Sequence, residues 1–327
     1  MYIKNYIYHP NSVIGKGSSC LVYKGYNIHT DKTVAIKKVQ KNQCRTEDIV
    51  RLKSEVILVQ SLNHPGIVKI IEFIETINHF YIIMEYCNAG SLFFFKTHNS
   101  THFTNSDNMS EFIDQLLSIM RYLHARNIMH RDIKPQNILV VKNSDANCPF
   151  TFKLSDFNYA TRVYDKELKS SICGTPLYMS PELLTQTRYT NKSDLWSIGL
   201  VLYEIAYGNH PFAGATDIIE IKRMAASKAS FKYNDNVIDP YFNQLMRKLL
   251  TSNVNERIDW VDLFKYHSGV EDGSLLMELE QQHRECRQPD FSEISKNTNK
   301  LTKIILKIPN VIRHIYNNAN NAIYSSD

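Results

Sequence analysis

His130-Arg131-Asp132-Ile133-Lys134-Pro135-Gln136-Asn137 places an acid, a lysine and a carboxamide within eight residues, with Asn137 five positions after Asp132. Polar turns built around a proline are common on helical proteins, so this string takes its meaning from what surrounds it. Upstream, Gly15-Lys16-Gly17-Ser18-Ser19-Cys20-Leu21-Val22 lies between strand-like runs at Ile7 to Ile14 and Leu21 to Tyr23. That order predicts a hairpin whose glycines admit close approach of the backbone to a ligand. Val34-Ala35-Ile36-Lys37 reads as a strand ending on a lysine. Eighteen residues on, Glu55 falls in a helical stretch, Asp48 to Leu62, with Leu52, Val56 and Val59 at apolar spacing. Downstream come Ser155-Asp156-Phe157-Asn158, Gly174-Thr175-Pro176-Leu177-Tyr178-Met179-Ser180-Pro181-Glu182, Asp194-Leu195-Trp196-Ser197-Ile198-Gly199 and Asn255-Glu256-Arg257-Ile258. Singly, each has an ordinary reading: a tight turn, a solvated lysine, an exposed helix glutamate. Their joint occurrence in this order has none.

With these motifs the chain resembles the eukaryotic protein kinase family across roughly residues 6 to 267. The resemblance implies an α+β, bilobal fold: a small, mostly antiparallel β lobe with one helix over residues 1–85, a hinge at 85–87, and a larger, mainly α-helical lobe over 86–267. Residues 268–327 then form a C-terminal helical extension. ATP lies between the lobes in such a fold. Phosphoryl transfer asks the protein chiefly to position two oxygens in line and to neutralise charge on the moving group. By resemblance, Asp132 accepts the proton of a substrate hydroxyl, Lys134 stabilises the transferring phosphate, and Asn137 and Asp156 hold Mg²⁺. Lys37 meets the α- and β-phosphates and is oriented by Glu55. Ile14, Gly15, Lys16, Gly17, Ser18, Ser19, Cys20, Leu21 and Val22 cover the nucleotide. Val22, Ala35 and Leu139 flank adenine, Met84 guards the back of the pocket, and the connector Glu85-Tyr86-Cys87 offers backbone donors and acceptors. Val59, Ile70, His130 and Phe157 stack between the lobes, Glu182 pairs with a buried Arg257, and Asp194 caps the catalytic loop.

Three positions depart from the family pattern. Cys20 replaces the third glycine of the phosphate loop, Ser180 stands where alanine is usual, and Asn158 replaces the glycine after Asp156-Phe157. Asparagine is the ordinary residue that best tolerates positive φ, so the expected penalty at 158 is about 1 kcal/mol or less. Cys20 and Asn158 are the foothold of an alternative reading, a nucleotide-binding pseudokinase scaffold. A small-molecule kinase is opposed by the complete segment from Gly174 to Glu182, which in the family supports a peptide.

Lys134 and Thr175 are serine/threonine-kinase features, and tyrosine specificity is disfavoured. Gln136 and Ser91 stand where arginine-directed kinases carry acids, which predicts no strong demand for basic residues before the target. Arg131 implies control by a phosphate between Asp156 and Glu182, with Ser171 and then Ser170 as candidates. Among subfamilies, Val22-Tyr23-Lys24-Gly25, Glu85 to Gly90, the string from His130 to Asn137 and Leu177-Tyr178-Met179 are similar to the Unc-51-like, autophagy-initiating kinases. Those kinases carry long regulatory regions for which this chain has no room.

With 327 residues, 43% of them hydrophobic and 22% charged, the chain has the make-up of a soluble two-lobed protein with an appendage. No apolar run is long enough to span a bilayer, and the first residues read as strand rather than signal peptide. Six cysteines without a CxxC pair fit reduced thiols and a cytoplasmic or nuclear setting, in a host cell if the protein is viral. Abundant Asn, Ile, Lys, Tyr and Phe suggest an AT-rich genome. A net charge of +5 from 38 basic and 33 acidic residues is too even to argue for nucleic acid, and the kinase resemblance implies protein substrates as the partners. The sequence does not fix the oligomeric state. The segment Thr97 to Met109 reads as a polar surface loop. In the tail, Leu275 to Arg287 and Leu301 to Tyr316 are helix candidates, the second interrupted by Pro309. Its apolar stripe fits packing on the large lobe, with contact to a membrane surface or a partner as the alternative.

Overall fold

The amino-terminal part of the chain folds as a sheet whose inner strands carry runs of buried residues, Val34 to Ile36 and Phe80 to Ile83. In the computed structural model, strands β1 (Tyr2–Ile3), β2 (Tyr6–Lys16), β3 (Cys20–Asn27), β4 (Thr33–Gln40), β5 (Ile70–Glu75) and β6 (His79–Glu85) form one antiparallel sheet in the order β1-β2-β3-β4-β6-β5. The structure describes residues 1–17, 20–99, 101–144, 148–162, 167–168, 174–185 and 189–268. The expectations at Ser18, Ser19, Ser170, Ser171 and in the tail beyond residue 268 lie outside them. A compact unit, Met1–Leu276, carries every described element; the second, Met277–Asp327, falls outside the described residues.

The register of β4 positions the site. Val22 on β3 faces Lys37, and Ala35 on β4 faces Met84 on β6, so the strand lysine lies between the phosphate loop at the Cys20 end of the sheet and the hinge at the Glu85 end. In β2 the pairing slips between Tyr8 and Val13, where Pro10 cannot donate to the ladder; Ser12 Oγ donates instead to the carbonyls of His9 at 2.7 Å and Lys24 at 2.8 Å. Helix α1 (Thr46–Gln60) starts with Glu47 and Asp48 in its first turn, where acids favour the helix dipole, and buries Leu52, Glu55, Val56 and Val59.

The second half is largely helical: α2 (Leu92–His98), α3 (Ser106–His124), α4 (Pro181–Leu184), α5 (Ser193–Tyr207), α6 (Ile218–Ala226), α7 (Pro240–Leu249) and α8 (Trp260–Ser268). Short strands β7 (Ile128–Met129), β8 (Ile138–Lys142), β9 (Phe150–Leu154) and β10 (Thr161–Arg162) frame the catalytic loop, with β8 paired to β9 and β7 to β10. Helix α5 is its hub, buried from Ser193 to Ala206. Gly199 permits the approach of α7, since a Cβ there would lie 2.9 Å from Leu249 Cβ. The polar stretch from 97 to 109 is a correction: only its middle is connector. Asn105 accepts from the Asn108 amide at 3.0 Å and caps α3, while Phe103 and Met109 are buried. Its polar residues serve as caps and short turns, which composition alone cannot tell from a solvated loop.

Candidate active site

The catalytic loop is held from below by a buried acid. Asp194, in the first turn of α5, accepts from the amides of His130 at 2.8 Å and Arg131 at 2.9 Å. Arg131 takes φ +66°, and Gly174 (φ +103°) comes so close that a Cβ would lie 2.6 Å from the Arg131 carbonyl oxygen. Both constraints demand glycine at 174. The imidazole of His130 is fully buried, and burial lowers its pKa. It accepts from the Asp132 amide at 3.3 Å through Nδ1, which leaves Nε2 to donate to the Ser155 carbonyl at 3.1 Å.

Asp132 projects into a ring of donors. Lys134 Nζ lies 2.8 Å from Oδ2 and Asn137 Nδ2 2.9 Å from the same oxygen, while Oδ1 accepts from the Thr175 hydroxyl at 2.9 Å and its amide at 3.0 Å. Burial pushes this carboxyl up, but Lys134 and Thr175 outweigh burial and hold it below the usual carboxylate range. It therefore stays ionised at neutral pH, as an acceptor of a hydroxyl proton must. Because Asn137 spends its Nδ2 on Asp132, its carbonyl oxygen is the atom left for a cation.

Above the loop, Lys37 Nζ sits 3.6 Å from Glu55 Oε2 and 3.5 Å from Asp156 Oδ1. Burial opposes the ammonium charge, yet the two carboxylates overcome it and raise the Lys37 pKa. Burial also raises Glu55, opposed by Lys37 and by a hydrogen bond from the Phe157 amide. Phe157 packs edge-on against His130 at 4.7 Å between ring centroids, and Val59, Ile70, His130 and Phe157 are all buried. Asn158 corrects the sequence reading. It is absent from the residues with positive φ; Asp156 itself takes φ +62°. What Asn158 supplies is its side chain, whose Nδ2 donates to Asp156 Oδ1.

On the hinge side, Ala35 is buried, Met84, Val22 and Leu139 are half-buried, and Ile14 is exposed. Cys87 is buried, and burial pushes its thiol up to about 12. Glu85 ties the lobes through its side chain, accepting from the Lys69 amide at 2.8 Å and Lys153 Nζ at 3.0 Å. At the loop tip the Gly17 amide donates to the Cys20 carbonyl at 2.9 Å; burial raises the Cys20 thiol, opposed by Lys37. Lys16 is exposed, and Leu21 packs at the edge of the sheet core.

The segment from Gly174 to Glu182 is anchored at three points. Thr175 meets Asp132 and, at 2.6 Å, Lys134. Glu182 receives Arg257 through two nitrogens at 2.8 and 2.9 Å, as well as Ser193 at 2.9 Å. The third anchor escaped the sequence reading: Tyr178 donates to Glu204 on α5, whose other oxygen lies 2.5 Å from Lys96 on α2. A lysine on the inner side of a short apolar helix was the available signal.

A lysine–glutamate pair beneath a curled antiparallel sheet, with an acid–lysine–amide loop facing it from a helical lobe, defines a protein kinase fold. The chain belongs to the protein kinase family, matching the protein kinase domain over residues 8–267. Among curated proteins it is 31% identical over 293 residues to serine/threonine-protein kinase ATG1 of Debaryomyces hansenii, covering 79% of this chain and 34% of that protein. It is 32% identical over 329 residues to serine/threonine-protein kinase ATG1 of Kluyveromyces lactis, covering 89% and 39%. A protein of Acanthamoeba polyphaga mimivirus, named as a serine/threonine-protein kinase, is 33% identical over 279 residues, covering 79% and 62%. The chain thus spans between about a third and two thirds of the length of these relatives. The fungal relatives agree with the Unc-51-like resemblance read from the motifs.

Proposed function

We propose that this chain transfers the γ-phosphate of ATP, with Mg²⁺, to serine and threonine hydroxyls of protein substrates in a reducing, intracellular setting. The observation that carries this reading is the ring around Asp132: an ionised, buried carboxylate bridged to Lys134 and Thr175 at the foot of the segment that would support a peptide. Asp132 would orient the hydroxyl and take its proton, and Lys134 would balance charge on the transferring group. Lys37, kept charged by Glu55 and Asp156, would bind the α- and β-phosphates.

The donor chemistry fits magnesium, since Asp156 and Asn137 offer hard oxygens. Among the described residues no cluster of three or more His, Cys, Asp or Glu forms a self-sufficient metal cage. That suits an ion held jointly with nucleotide phosphates, where it would neutralise charge on their oxygens. Cys20, Cys44 and Cys87 carry free thiols, which supports a reducing compartment. No helix among the described residues is long and apolar enough to cross a membrane.

The test is transfer of labelled γ-phosphate to generic Ser/Thr protein substrates beside Asp132→Asn. We expect transfer in the parent chain and a loss of about 10²-fold or more in the variant, with ATP binding retained. Binding without transfer in the parent chain would favour the nucleotide-binding scaffold.

A further inference from the structure

Asp156 is the carboxylate expected to meet the metal, and both of its donors converge on one oxygen. Lys37 Nζ lies 3.5 Å from Oδ1, and Asn158 Nδ2 donates to the same atom. Among the described residues nothing donates to Oδ2. Each carboxylate oxygen has two acceptor positions, so Oδ1 is filled by protein donors and Oδ2 is the oxygen free for a cation. Lys37 is fixed by Glu55 and has a role of its own toward phosphate. Asn158 has no such second duty, and it occupies a position where glycine would offer no side chain.

We propose that Asn158 is a positioning residue that sets the metal requirement: its carboxamide occupies Asp156 Oδ1 and restricts Asp156 to single-oxygen ligation. This rests on the reading of Asp156 as the Mg²⁺ carboxylate. A cation that would use both oxygens must displace the amide, and one that uses Oδ2 alone meets a carboxylate whose charge the amide dipole already partly satisfies. Either way the contact favours the metal-free state. Asp156 is about a third exposed, at 36% of its side-chain surface, so solvent tempers the effect.

The experiment is a Mg²⁺ titration of mant-ATP fluorescence on the full chain, comparing the parent with Asn158→Gly and Asn158→Ala. Both variants should reach half-saturation at about three- to tenfold lower Mg²⁺, a factor set by one exposed charge-assisted hydrogen bond. Their mant-ATP affinity in excess EDTA should match that of the parent. A shift in the glycine variant alone would assign the effect to backbone freedom and overturn the proposal. An unchanged or higher Mg²⁺ requirement in both variants would overturn it as well, making Asn158 neutral or a preorganising support. Failure of the parent chain to bind mant-ATP even at saturating Mg²⁺ would instead sink the underlying kinase reading, so the two failures are separable.

Discussion

Lys37 shows how much of this site rests on single atoms. Its side chain is 14% exposed and its ammonium is shared between Glu55 at 3.6 Å and Asp156 at 3.5 Å, so charge and placement are both fixed by the fold. Arginine would keep the charge but spread it over a planar fork too large for a point contact. We expect Lys37→Arg to lower transfer by roughly 10²-fold, the cost of a displacement near 1 Å, while the thermal midpoint stays close to that of the parent. Matched thermal unfolding and phosphotransfer assays check this; retention of near-full activity would remove Lys37 from its assigned role. At this scale the sequence was informative wherever chemistry dictates a residue type. Asp132, Lys134 and Asn137 meet in one cluster and Lys37, Glu55 and Asp156 in another, and the Glu182–Arg257 pair forms with bidentate geometry. It misled at Asn158, where backbone tolerance was the expected virtue and a side-chain hydrogen bond is the observed one. A φ angle depends on how neighbouring loops meet, which no local pattern specifies.

Between elements, the least legible feature is the link from α2 to α5. Lys96 and Glu204 are 108 residues apart, both are nearly buried at 11% and 4% exposure, and Tyr178 joins them from the peptide-supporting segment. Helical spacing predicts that a face is buried, but not which buried charge finds a partner across the lobe. Lys96 also donates to the Gly208 carbonyl at 3.3 Å, where φ +79° ends α5. Removing one partner of a buried pair leaves the other charge uncompensated, at a cost of roughly 3–5 kcal/mol. Lys96→Met should therefore destabilise the chain by about that amount in urea unfolding. The Lys96→Met, Glu204→Gln double variant should recover most of the loss, because no buried charge is then stranded. Equal losses in the single and double variants would show that packing of the lysine stem, not charge, is what matters.

Across the whole domain, α5 gathers the site: Asp194 at its start fixes the catalytic loop, and Glu204 near its end fixes the peptide-supporting segment. The bilobal plan was readable because motif order along the chain implies which strands and helices must lie near one another. The internal salt network was not, since it depends on side chains that meet only after folding. That network predicts a pH response. His210 packs edge-on against Tyr178 at 4.9 Å and accepts from the Phe212 amide at 3.0 Å. Burial, assisted by Lys96 and opposed by Glu204, pushes its pKa down to about 4. In the unfolded chain the imidazole titrates near 6.5. The folded pKa is the lower of the two, so the unfolded state binds the extra proton between these values. The contribution is thus complete above about pH 6.5 and is lost as pH falls toward 4, amounting to about 3 kcal/mol at most. Urea midpoints at pH 7 and pH 5 should separate more in the parent chain than in His210→Gln, which has no proton to gain. Other buried histidines, His130 among them, titrate in both proteins and cancel in that difference. Equal separation in the two would mean that His210 titrates in the folded chain as it does in the unfolded one, with Glu204 offsetting burial.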